Sequence, residues 1–196
     1  MLTAQPWAIT TALADGLDAD AIRAATGVVA MFNYLTRVAD ASGIEFDYTT
    51  PLPAFRPRRD KQPVPRPAPD TWPVVTAQFT EAWRRWHDHL FGADEPLTRR
   101  QRLVLARAAA QESCDRRRAD ELAEYTPSDG ADAVLDAFAR KLSVRPWQMT
   151  QADLQTLRDA GFAEQALLHA MSVTALQNAE SRLAAGQSLV AALTRE

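Results

Sequence analysis

Cysteine, glycine and lysine are all scarce in this chain, and each scarcity closes off a line of chemistry. A single cysteine, Cys114, stands among 196 residues, so neither an intrachain disulfide framework nor a cysteine-built zinc cluster can form. There are 7 glycines, and no G-x-G-x-x-G or G-x-x-x-x-G-K run, which excludes the usual dinucleotide and phosphate-cradling loops. Lysine occurs twice against 20 arginines, and the net charge is −3. A pI near 5.7 leaves no global basic field for nucleic acid. No apolar run approaches the roughly 20 residues that span a bilayer, and Met1 to Pro6 lacks the basic and apolar blocks of a secretory signal. The expected setting is a reducing cytoplasm, with no membrane, nucleic acid, metal or cofactor involved.

What is abundant is alanine, 37 of the 196 residues. Alanine heads the helix-propensity ranking and lets helices pack closely, so the composition favours an all-α protein. Eight of the 12 prolines fall between Pro51 and Pro73. Proline removes backbone donors and biases the preceding residue out of the helical region, so 51–73 reads as an extended connector, with Leu52, Phe55 and Trp72 able to pin it to a surface.

Helical spacing appears on both sides of the connector. A helix is expected from Asp18 to Ser42, capped by Asp18 or Asp20 and ended by Gly43, with Ile22, Val29, Leu35, Val38 and Phe32 as its apolar face. Trp72, Val75, Phe79, Trp83, Trp86 and Leu90 define an aromatic face on a second helix that stops near Gly92, read as core or subunit interface. A long Arg-rich helix is expected from Thr98 to about Tyr125, and shorter ones over 131–142, 151–160 and 163–185. Thr150 with Asp153 has the form of a capping box.

Sliding the chain by 145 residues lays Trp7–Gly43 over Ala152–Ser188 with nine identities in 37 positions. Four are alanine pairs. The more informative pairs are Gly16/Gly161, Asn33/Asn178 and Arg37/Arg182. Both copies read as a short helix, a glycine turn and a longer helix, the form of units that bury a face by stacking on one another.

The stretches LTRRQRLVLARAAAQESCDRRRADEL and KLSVRPWQMTQADLQTLRDAGFAEQALLHAMSVTALQNAESRL resemble the AhpD-like alkylhydroperoxidase and carboxymuconolactone decarboxylase superfamily, in its peroxidase-related branch. LADGLDADAIRAATGVVAMFNYLTRVADASGIEFD resembles the closing helices of the same unit. The resemblance implies an AhpD-like helical bundle: a partial unit over 1–50, the proline-rich connector over 51–73, and a whole unit over 74–196, together one compact domain. It also implies a homo-oligomer, dimer or higher, since exposed alanine-rich and tryptophan-rich faces need a partner.

Active members of that family carry C-x-x-C-x-x-x-H on a helix, with a glutamate about three turns upstream. Cys114 matches the first cysteine, while Arg117 stands at the second, Glu121 at the histidine and Arg102 at the upstream glutamate. A dithiol cycle within one site is therefore excluded. Cys114 remains a candidate nucleophile for thiol-dependent hydroperoxide reduction, with Arg117 and Arg118 as cations favouring its thiolate, Glu121 or Glu112 as proton carrier, and an external thiol as reductant. The competing reading makes Cys114 an inert core thiol and the chain a catalytically inactive helical partner of itself or of an intact AhpD-like relative. Decarboxylase or isomerase chemistry on a lactone acid ranks last, lacking a suitable base. His87 and His89, about 200° apart around a helix, cannot share a metal. His169 reads as a packed, hydrogen-bonded residue, and the arginines from Arg99 to Arg118 as a solvated, ion-paired surface.

Overall fold

The structure, a computed structural model, describes residues 16, 18–43, 77–92 and 94–193. The connector, Trp72, Val75 and the Thr11 end of the repeat lie outside the described residues. Within them the fold is all-α, with no strand. Seven helices follow in order: α1 (Ala19–Ser42), α2 (Ala77–Gly92), α3 (Arg99–Glu112), α4 (Arg116–Glu121), α5 (Gly130–Val144), α6 (Gln151–Asp159) and α7 (Glu164–Leu193). A single 3-10 turn, Pro146–Gln148, precedes α6.

Helix starts follow local chemistry. Asp18 accepts from the Ala21 amide at 2.7 Å and opens α1, while Gly43, at φ 71°, closes it in the left-handed region. Thr98 and Gln101 form a reciprocal capping box on α3, and Thr150 and Asp153 form one on α6. Asp129 caps α5.

α7 is the central element. It is buried on nearly every side, from Ala166 and Leu167 through Leu176 and Leu183 to Val190, with α1 against one face and α3 and α5 against others. Each leucine removed from water there contributes about 1.5–3 kcal/mol.

α1 runs antiparallel to α7. Thr26, early in α1, meets Gly186, late in α7; Tyr34, further along α1, lies beside Ser172, early in α7. Small residues permit this approach. A Cβ added to Gly186 would lie 2.4 Å from Thr26 Cγ2, closer than atoms can sit.

The 145-residue repeat has a structural counterpart. α1 starts at Ala19 and α7 at Glu164, one repeat apart, each after a glycine with positive φ: 86° at Gly16 and 92° at Gly161. Ile22, Ala30 and Arg37 of α1 are buried, and so are their repeat equivalents Leu167 and Ala175. The equivalent of Arg37 is the half-buried Arg182. Two related helices are thus packed on each other through the same face.

Two expectations need correction. The buried side of α1 is Ile22, Thr26, Ala30, Arg37 and Ala41. Of the expected apolar face, Ile22 is buried and Val29 and Val38 are half-buried, but Phe32 is 62% and Leu35 50% exposed, because both lie on the side of α1 turned away from α7. The long helix from Thr98 to Tyr125 is also broken, ending at Glu112 and restarting at Arg116.

Gly186→Ala should push α1 off α7 and cost roughly 1–3 kcal/mol in thermal or urea unfolding. Thr26→Ala removes the Cγ2 and Oγ1 atoms in the way, so the double variant should recover part of that loss. Strictly additive losses would show that this contact does not set the helix separation.

Candidate functional site

Cys114 occupies the break between α3 and α4. The Cys114 amide donates to the Gln111 carbonyl at 3.1 Å and the Asp115 amide to the Ala110 carbonyl at 3.0 Å, the paired bonds of a Schellman helix end. Cys114 stands where glycine is usual and takes φ 59°, a conformation that costs a side-chain-bearing residue about 1–2 kcal/mol. Asp115, buried, then caps α4 by accepting from the Arg118 amide at 3.1 Å.

This turn changes the expected arrangement around the thiol. Because Cys114 belongs to neither helix, helical spacing does not put Arg117 and Arg118 on a common face with it. Both arginines instead engage Glu121: Arg117 Nε reaches Oε1 at 3.0 Å and Arg118 Nη1 reaches Oε2 at 3.2 Å. Arg118 Nε also donates to Gln177 of α7 at 3.2 Å. On the other side of the turn, Glu112 pairs with Arg140 at 3.1 Å, and Arg140 is held by Asp136 at 2.6 Å. The four expected supporting residues therefore divide into two ion-pair groups either side of the half-buried Cys114 thiol. Cationic charge already matched by carboxylate does little to favour a thiolate.

Arg102, at the position of the family's glutamate, is fully buried, which corrects the expectation of a solvated arginine surface. Its Nη2 donates to the Glu95 carbonyl at 2.7 Å, while Nε and Nη1 have no partner. Burial lowers its pKa, with Asp94 opposing. Arg100 fits the surface reading better, pairing with Asp132 at 3.2 Å.

The richest polar cluster was not anticipated as a site. Where α1 crosses α7, Asn178 Nδ2 donates to Ser143 Oγ at 2.7 Å, and Ser113 Oγ donates to Asn178 Oδ1 at 3.0 Å. Arg37 Nη2 donates to the Ser143 carbonyl at 2.9 Å. The repeat recurs in detail: Arg37 Nη1 donates to the Asn33 carbonyl at 3.3 Å, and Arg182 Nη1 to the Asn178 carbonyl at 2.9 Å. The Asn-x-x-x-Arg spacing in both copies was the available signal.

The histidines carry no shared chemistry. His87 stacks on Phe91 and His89 on Trp86. Among the described residues no cluster of His, Cys, Asp or Glu suits a metal ion, and no helix is long and apolar enough to cross a membrane. His169 is packed as expected, its Nε2 donating to the Leu90 carbonyl at 2.8 Å and so tying α7 to α2. No protein-family model matches the chain, and no curated protein matches it.

Burial holds the His169 imidazole below the usual histidine range; the Leu90 hydrogen bond opposes this, while the charges of Arg102 and His89 assist it. A depressed folded-state pKa means that the unfolded chain takes up the proton first. Stability should therefore be full above about pH 6.5, the unfolded value, and decline as pH falls from there toward the folded value. His169→Gln, which keeps a donor for Leu90, should show a flatter decline in urea unfolding between pH 7.5 and 5.5. Equal slopes in both proteins would remove His169 as the cause.

Proposed function

We propose that the chain is an AhpD-like helical protein that acts as an assembly subunit, pairing through the outer face of α1, with a cysteine turn that no longer supports dithiol catalysis. One observation carries this reading. Ala21, Ala25, Val28, Phe32, Leu35 and Ala39 recur at spacings of 4, 3, 4, 3 and 4, the seam of a helix that packs on another helix. Their repeat equivalents in α7 are Ala166, Ala170, Val173, Gln177, Glu180 and Ala184, every one buried.

The α7 face is covered from the second unit, where Gln177 meets Arg118 of α4 and Glu180 meets Trp83 of α2. On α1 no other described helix covers the same face: Val28 is 57%, Phe32 62% and Leu35 50% exposed. The two buried polar residues of the α7 seam are replaced by Phe32 and Leu35, so the outward face of α1 is the more apolar of the two. The face carries no charge, so a second copy can meet it about a two-fold axis without burying an unpaired ion. Pairing with an intact AhpD-like relative would use the same face.

Sedimentation of the full chain at micromolar concentration should give a dimer or larger species. Phe32→Asp with Leu35→Asp should give a monomer of unchanged helical content. A monomeric wild type would overturn self-assembly.

A second reading, single-thiol peroxide reduction, draws on the left-handed backbone of Cys114 and its partial exposure, because backbone strain gathers at functional positions. In that reaction the thiolate attacks the terminal peroxide oxygen and the O–O bond breaks. The oxygen bonded to carbon takes up a proton and leaves as the alcohol, and Cys114 sulfenic acid, carrying the terminal oxygen, remains. Two external thiols then reduce it, forming their disulfide and water. With a dithiol reductant present, wild type should consume cumene hydroperoxide and Cys114→Ser should not. Equal rates in both proteins would dismiss the thiol, leaving the assembly role intact.

A further inference from the structure

We infer that the crossing of α1 and α7 binds a small dianionic oxyanion between the guanidinium groups of Arg37 and Arg182. The two side chains converge by construction. An arginine on a helix leans toward that helix's N-terminus, and each here reaches back to the carbonyl four residues earlier. Because α1 and α7 are antiparallel, both lean toward the middle of the crossing, where Asn33 and Asn178 stand.

The cluster has positive charge without a matching anion. Arg37 donates to the Asn33 and Ser143 carbonyls; Arg182 donates to the Asn178 carbonyl and, at 3.2 Å, to Asn178 Oδ1. All of these acceptors are neutral. Among the described residues no carboxylate lies within ion-pair distance of either guanidinium. Asp40, one turn beyond Arg37, is felt only as a more distant charge. Burial raises its own pKa, with Arg37 opposing.

Three polar atoms sealed from solvent have no partner at this crossing: Arg37 Nε, Arg182 Nε and Asn33 Oδ1. Leaving such atoms unpaired is destabilising. An oxyanion accepting from both Nε–H groups would satisfy the two arginines, and a turn of the Asn33 amide would offer its NH2 to the same ligand. Burial pulls the Arg37 pKa down to about 10 and Arg182 well below its ordinary value, with Arg37 adding to the latter effect. Both shifts mark charge in want of a counterion. Two neighbouring guanidinium groups suit two negative charges better than one.

Calorimetric titration and thermal melts of the full chain, in chloride buffer of matched ionic strength, test this with inorganic phosphate, succinate and acetate. Saturable binding of phosphate or succinate, at least roughly tenfold tighter than acetate, is expected, that factor being the worth of one charge-assisted hydrogen bond. Preference for phosphate assigns a phosphorylated ligand, and preference for succinate a dicarboxylate. Arg182→Met should melt higher than wild type in chloride buffer without added dianion, because a buried like charge is gone, and should lose the response to phosphate and succinate. Wild-type protein that responds no more to the dianions than to chloride overturns the inference, whether or not the variant folds. So does a dianion response that survives in Arg182→Met.

Discussion

The crossing of α1 on α7 governs the rest of this molecule. Each helix supplies the other's small-residue face, and the meeting of Thr26 with Gly186 sets how near the axes come. That nearness has a steric consequence. Around that contact only small side chains fit between the helices, and Phe32 and Leu35 stand on the outward side of α1. The same crossing holds two guanidinium groups whose hydrogen-bond acceptors are all neutral.

α7 carries more of the fold than any other helix because two layers use it at once. Its inner seam is covered by α2 and α4 through Trp83 and Arg118, and its opposite side by α1. Having no free face, it shows none of the polar striping that marks a surface helix. The Cys114 turn is docked on this helix through Ser113 and Asn178, so the backbone conformation of the cysteine and the geometry of the arginine cluster share a partner. A change at Asn178 is felt at both.

Much of this architecture was legible in the residues, for identifiable reasons. Caps are local: Asp18, Thr98 and Thr150 mark helix starts through hydrogen bonds to atoms three residues away, and Gly43 marks a helix end through its left-handed backbone. The repeat was legible because glycine turns and the Asn-x-x-x-Arg pair tolerate few substitutes. The break at Cys114 was not, because its left-handed position carries cysteine where glycine would have announced it, and the surrounding Arg and Ala residues all favour helix. Which side of α1 is buried was hidden as well. Periodicity reports that Val28, Phe32 and Leu35 share a face, but burial depends on what stands opposite, and that is a tertiary fact. Arg102 and Arg37 were unreadable for the same reason, since charge alone predicts solvent.

The two repeat copies show how one helix design is put to different uses by its neighbours. Ala21, Ala25, Val28 and Ala39 are identical in α7 as Ala166, Ala170, Val173 and Ala184, so the seam itself has hardly changed. At the two remaining positions α7 has Gln177 and Glu180, which find Arg118 and the Trp83 indole as partners, and there polar groups are tolerated in a buried place. α1 has no such layer over it among the described residues, and phenylalanine and leucine stand at those points. A polar pair would be the neutral choice for a face meant to remain in water. An apolar pair instead raises the free energy of the isolated chain by leaving large side chains hydrated, a cost that packing against a second helix removes. The substitution pattern between the copies therefore points to a covered α1 more firmly than the exposure of either residue taken alone.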